Sequence, residues 1–266
     1  MNELASLSAK GYYDFSFISQ DSSSYGRDMN MKEGLCELIE AAEALPGIRS
    51  ARILYLYPST TTERMIDHIA QSDVFATYYD MPIQHIDDRM LKLMKRGFGE
   101  SRTIELLELM RSKSGSFVRT SVIAGHPGET QESFERLCRF LEEYRFDRIN
   151  VFAYSNEEDT AAYNMEQIDQ KVIEERVEIL ADIARRRMYE SLDAMVGTEV
   201  ELAVDSISSE HEYLLSARPL NWAPEIDSEV LINDKGDLDI EFGKVYRALI
   251  TQRVDRYLTG TIISEA

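Results

Sequence analysis

The residues of this chain best suited to chemistry lie in short polar or glycine-rich turns, each following an apolar run. The fullest is Gly125-His126-Pro127-Gly128-Glu129, between an apolar segment starting at Phe117 and a helical pattern starting at Thr130. Gly125 and Gly128 allow backbone angles that a side chain forbids, so amide groups there can come close to a bound molecule. Pro127 stiffens the turn, and Thr130 is placed to cap the next helix. Glu132 and Glu135 fall in its first turn, where the positive end of the helix dipole favours carboxylates. The chemistry this pattern supports is binding of a small ligand. An ordinary strand-to-helix turn is the competing reading, and one glycine-rich loop does not decide between them.

Other strand-end residues repeat the theme: Gln20 and Asp21, Tyr57 and Pro58, Gln84 and His85, Tyr154 and Ser155. His85, alone in its turn, reads first as a hydrogen-bonding structural residue and second as an acid-base group. His126 lies closer to the presumed ligand, with no partner nearby in sequence. Asp80 either faces the site or caps a turn. Asp87 and Asp88 read as a helix cap, Glu157-Glu158-Asp159 as a solvated loop, and Arg185-Arg186-Arg187 as a solvated helix face. No Ser-His-Asp, Walker or zinc-protease arrangement occurs, so no catalytic side chain is assigned. The two cysteines, Cys36 and Cys138, sit in helical patterns without metal-ligand spacing, so neither is assigned to a metal.

These turns need elements to hold them. Apolar runs at 12–19, 50–58, 73–82, 117–124 and 147–155 read as strands, alternating with helical patterns near 32–45, 61–70, 87–94, 101–113, 130–144 and 169–191. Strand-then-helix units in series argue for a parallel sheet or barrel, which would gather the turns on one rim, where such folds bind ligands. After Val196 short alternating runs separated by turn signals read as a small β-barrel of about five strands.

Composition narrows the partners. The chain of 266 residues carries 29 basic and 48 acidic side chains, a net charge of −19, and its last 72 residues hold 6 basic against 14 acidic. Such a surface repels phosphate backbones and attracts basic partners. No run reaches the roughly 18 apolar residues of a membrane span. The N-terminus lacks a signal-peptide layout, so a cytoplasmic protein is expected.

With these residues in view, the chain resembles the radical S-adenosylmethionine methylthiotransferases. The matching segments, in the family's order, are ISQDSSSYG, RILYLYP, YDMPIQH followed by LKLMKRG, RTSVIAGHPGETQESF and VFAYSNEEDTAAY, with a C-terminal barrel that looks like a TRAM domain. The resemblance implies an α/β fold: a partial, open radical-SAM TIM-type barrel over residues 1–194, then a small all-β TRAM-like barrel over 195–266. SNEEDTAAY and NWAPEIDSEVLI look like the branch that methylthiolates an aspartate of a small-subunit ribosomal protein, the twelfth. Alternatives are the branch acting on tRNA adenosine and a non-catalytic fragment that binds a ribosomal protein.

The family's cofactors are S-adenosylmethionine and [4Fe-4S] clusters, one held by a CxxxCxxC loop after the first barrel strand. Cys36 and Cys138 match no position of that loop, so the chain is expected to be inactive alone and to correspond to the C-terminal two-thirds of a complete enzyme. By motif, the resemblance puts Gln20 and Asp21 near the methionine end of S-adenosylmethionine and Gln84 and Ser121 among its polar contacts. It puts Gly125, Pro127, Gly128 and Glu129 in the wall beside the adenosine. His126 stands where the family usually has Phe.

Overall fold

Strand and helix signals alternate through the first two-thirds of the chain, and a computed structural model describing residues 1–209 and 211–266 folds them accordingly. The chain divides into two compact units, Met1–Arg187 and Met188–Ala266. In the first, helix α1 (Asn2–Ala9) leads into strand β1 (Asp14–Phe17). Next come α2 (Gly34–Glu43), β2 (Ser50–Ile53), α3 (Glu63–Gln71), β3 (Phe75–Asp80), α4 (Asp88–Leu93) and α5 (Glu100–Arg111). The unit continues with β4 (Phe117–Ala124), α6 (Gln131–Glu143), β5 (Arg148–Ala153) and most of α7 (Gln170–Asp193). The strands form one parallel sheet in the order β1-β2-β3-β4-β5, each beside its sequence neighbour. Helical crossovers are what parallel neighbours require.

Local chemistry sets many boundaries. Thr62, Asp87 and Thr130 cap α3, α4 and α6 by accepting from the amides of Met65, Met90 and Ser133. The apolar run expected to be a strand as far as Pro58 stops at Ile53. Tyr55 adopts φ +61°, so the ladder breaks, and the amide of Leu56 is satisfied by the carbonyl of Asp80 at 2.7 Å.

The two faces of the sheet differ in chemistry. Phe15, Phe17, Ala51, Ile53, Tyr79, Val118 and Val122 pack with Leu35, Ile39, Ile66, Leu107 and Leu137 of the helices into one apolar core. The other parity carries the polar groups, among a few aromatic ones. Arg52, fully buried, donates to Asp14 at 2.5 Å, Ser16 at 3.0 Å and Ser50 at 3.1 Å. Farther along, Arg119 lies 3.2 Å from Asp80, and the Arg148 guanidinium stands 5.4 Å from the ring of Phe117, itself stacked on Tyr78. Their register, Asp80 beside Arg119 and Ser121 beside Asn150, puts these groups in rows across one surface.

Among the described residues β1 pairs on one side only, with β2. Beside it a groove of about 200 Å³ is lined by Met1, Leu4, Leu7, Phe15 and Phe17, and Ile18 is 65% exposed. An unpaired edge with apolar flanks templates further pairing. The purified chain is expected to self-associate, with Ile18→Lys reducing its mean mass in light scattering. A monodisperse unsubstituted monomer with a cooperative melt would contradict this.

The second unit holds β6 (Glu199–Ile207), β7 (Leu215–Pro219), β8 (Val230–Asp234), β9 (Val245–Val254) and β10 (Tyr257–Glu265), closed into a barrel in the order β10-β8-β7-β6-β9. Leu202, Val204, Val230, Ile232, Tyr246, Ile250 and Leu258 are buried, as is Trp222. The segment from Leu238 turns first, with Gly243 at φ +80°, and β9 pairs only from Val245.

Candidate functional site

The strand ends of the first unit converge around Gln84. Its amide donates to the Ser121 carbonyl and its own carbonyl accepts from the Ile123 amide, both at 2.9 Å, so the backbone is fixed despite φ +67°. The side-chain oxygen, Oε1, is buried and has no hydrogen-bond partner among the described residues. Two cavities meet here. One of about 250 Å³ is lined by Gln20, Tyr57, Arg119, Ser121, Asn150 and Phe152, and one of about 480 Å³ by Leu93, His126, Ala153, Tyr154, Ser155 and Thr160; Gln84 and Arg96 line both. Together they have the size and mixed polarity of a small-molecule site.

The residues singled out in the sequence take different places. Gln20, Gln84 and Ser121 line the smaller cavity. Asp21 ties loops together, accepting from Ser23 at 2.6 Å, Ser24 at 2.5 Å and Thr60 at 3.1 Å. Gly125, Pro127, Gly128 and Glu129 line neither cavity. A Cβ on Gly125, which sits at φ +83°, would lie 2.5 Å from Ile173 Cγ1, so this glycine makes room for α7. Gly128 sits at φ +88°, where a Cβ would lie 2.9 Å from Leu93 Cδ1, and its carbonyl accepts from Arg89.

Glu129 is the internal brace of the loop. Its fully buried carboxylate accepts from the Gly125 amide at 2.9 Å and from Arg176 of α7 at 2.6 Å; Arg176 also donates to its carbonyl at 3.1 Å. His85 Nε2 stands 3.5 Å from Oε1 of the same carboxylate. The other ring nitrogen of His85 accepts from the amides of Ile86 and Asp87, both at 2.9 Å, so the proton is on Nε2 and the residue organises the start of α4. Asp80 binds Arg119 and accepts from the Tyr55 amide at 3.1 Å. Arg185 and Arg186 pair on the surface with Asp182 and Glu142.

His126 reaches the larger cavity. Its Nδ1 donates to the Pro127 carbonyl at 2.8 Å and its ring meets Tyr154 edge-on at 5.0 Å. Burial, the largest influence, moves its pKa below the ordinary 6.5, against opposing contributions from Pro127 and Glu129. The unfolded imidazole protonates more readily, so this residue's share of stability is complete above about pH 6.5 and is lost as pH falls through the lowered folded value. Urea midpoints measured from about pH 7.5 to about pH 5 should fall more steeply for the unsubstituted chain than for His126→Asn. Parallel curves would refute this.

Among the lining residues that carried no assignment from sequence are Arg96, Arg119 and Asn150. For the last two the signal was available, since Arg119 and Ser121 on β4, and Arg148 and Asn150 on β5, place polar groups at alternate positions of apolar strands. Among the described residues no group of three His, Cys, Asp or Glu is arranged to hold a metal. Burial pushes the thiols of Cys36 and Cys138 up to about 11, so both stay protonated at neutral pH and do not fit an iron-sulfur cluster.

An open parallel sheet with a polar cavity at its strand ends, followed by a closed five-stranded barrel, agrees with two family matches. Residues 1–141 match the radical SAM superfamily and residues 196–263 the TRAM domain. The chain belongs to the radical SAM superfamily, and its first unit is a partial barrel of that kind followed by a TRAM-like barrel.

Its near relatives narrow the class. The chain is 65% identical to the ribosomal protein uS12 methylthiotransferase RimO of Sulfurovum sp. strain NBC37-1, over 99% of its own length and 60% of that protein. It is 54% identical to the protein of the same name from Sulfurimonas denitrificans, over 97% and 60%. The chain thus spans about 60% of the length of these curated relatives. Among solved structures, the radical S-adenosylmethionine methyltransferase TsrM from Kitasatospora setae, with tryptophan and a cofactor analogue bound, matches with TM-score 0.45 and 20% identity. That match covers 57% of this chain and 29% of that one.

Proposed function

We propose that this chain is the barrel and TRAM portion of a methylthiotransferase that modifies an aspartate of ribosomal protein uS12. The observation that carries the reading is the 65% identity running through 99% of the chain. S-adenosylmethionine, when bound, supplies the one-electron chemistry of this superfamily. Gln20, Ser121 and the Nε2 amide of Gln84 are its proposed polar contacts, on the strength of the cavity they share. Asp21, Gly125, Pro127, Gly128 and Glu129 support them by fixing the loops and the seat of α7. The residues present do not fit an iron-sulfur cluster, so no step is assigned to one here.

The charge of −19 favours a basic protein substrate over tRNA, because like-charged backbones are repelled and a basic ribosomal protein is drawn in. No helix among the described residues is long and apolar enough to cross a membrane, and action on a ribosomal protein would place the enzyme in the cytoplasm. The test compares this chain with a polypeptide extended upstream to include a CxxxCxxC loop, each expressed in cells lacking their own uS12 methylthiotransferase. The extended form should add the mass of one methylthio group to an aspartate of uS12, and this chain alone should add none. Unmodified uS12 with methylthiolated tRNA adenosine would overturn the reading in favour of the RNA branch.

A further inference from the structure

Arg96 stands where the two cavities meet. It is held there: Cζ lies 4.3 Å over the ring of Tyr57 and 5.7 Å from that of Phe98, and Nη2 donates to the Pro82 carbonyl at 3.0 Å. The Tyr57 hydroxyl donates back to the Arg96 carbonyl at 3.1 Å, fixing the aromatic platform under the guanidinium. Nε is buried without a partner, and among the described residues Arg96 forms no ion pair with a carboxylate.

This is an anomaly in a chain with 48 acidic and 29 basic side chains. Arg52 and Arg119, on the same polar face, are neutralised by Asp14 and Asp80. Burial, the largest influence, works against the charge of Arg96; Tyr57 and Asp21 favour it without pairing with it. A partly desolvated guanidinium costs free energy unless an anion completes it, and its planar fork matches a carboxylate. Beside it the unpartnered Oε1 of Gln84 is an acceptor and asks for an N–H. A fork for a carboxylate next to an acceptor for an N–H is the complement of an amino-acid residue.

We propose that Arg96 receives a carboxylate of the bound ligand while Gln84 accepts an N–H beside it. Resting on the function proposed above, the carboxylate is the side chain of the target aspartate. The methionine carboxylate of S-adenosylmethionine has the same chemistry and is separated by the test. The shielded Nε–H of Arg96 gives a nuclear magnetic resonance signal, assigned by its loss in Arg96→Lys. It is followed while the chain is titrated with N-acetyl-aspartate amide, N-acetyl-asparagine amide or S-adenosylmethionine.

The aspartate compound should move the signal and the asparagine compound should not. Arg96→Gln, checked for folding by circular dichroism, should weaken aspartate binding roughly tenfold or more, with Arg96→Lys between. A response to S-adenosylmethionine alone upholds the carboxylate receptor and overturns its assignment to aspartate. No response to either ligand overturns the proposal. The readout needs no turnover, so it is independent of whether the extended polypeptide modifies uS12.

Discussion

Replacing Glu129 with Ala should destabilise the first unit by about 3–5 kcal/mol, the loss expected when one partner of a buried ion pair is removed. The side chain of Arg176 is only 8% exposed, and Glu129 is the single carboxylate within 4 Å of it among the described residues. The variant would leave that cation, the Gly125 amide and the edge of His85 without their shared acceptor. Arg176→Met added to Glu129→Ala should recover part of the loss, since an apolar pair is tolerated better than half an ion pair. The measurement is urea unfolding followed by far-ultraviolet circular dichroism, which reports the helices of this unit. Trp222, the only tryptophan, lies in the other unit, and its fluorescence should be unaffected. A loss below about 1 kcal/mol would show that the loop does not depend on this brace.

Gly125→Ala should cost nearly as much, for two separable reasons. The left-handed backbone angle adds about 1–2 kcal/mol for any residue with a side chain. The new methyl group, 2.5 Å from Ile173 Cγ1, adds about 1–3 kcal/mol of overpacking. Only the second part is relieved by trimming Ile173. Ile173→Ala should therefore cost less in the Gly125→Ala background than alone, a coupling visible in a double-mutant cycle. Strict additivity would mean that the helix moves aside freely and that the contact between loop and α7 is loose.

The two predictions show where the sequence was legible. Asp87 and Thr130 could be read as caps because capping depends on a side chain and an amide three residues away. The serial strand-helix alternation was equally local, and so was the period-two pattern of the second barrel. Gln84 could be found because it follows a strand, whereas Ser121, inside β4, was reached only through the resemblance. Glu129 could be seen in its loop but not its purpose, since Arg176 lies 47 positions away on a helix full of charges. The glycine at 125 was legible as a conformational need, whereas the reason for it, the crossing of Ile173, exists only in three dimensions. Arg96 was hidden in the same way. Its meaning comes from Tyr57 beneath it and from the acid that is missing beside it.

The order of strands also governs assembly in time. In the first unit every strand lies beside the one made just before it, so pairing can proceed in step with synthesis, each new strand docking on a finished edge. The barrel of the second unit cannot be built that way. Its closing strand, β10, joins β9 and β8 at once, so the ring stays open until Tyr257–Glu265 has been added. The first unit can therefore mature gradually, while the second completes in a single late event, and a nascent chain stopped before Tyr257 would carry two unsatisfied sheet edges.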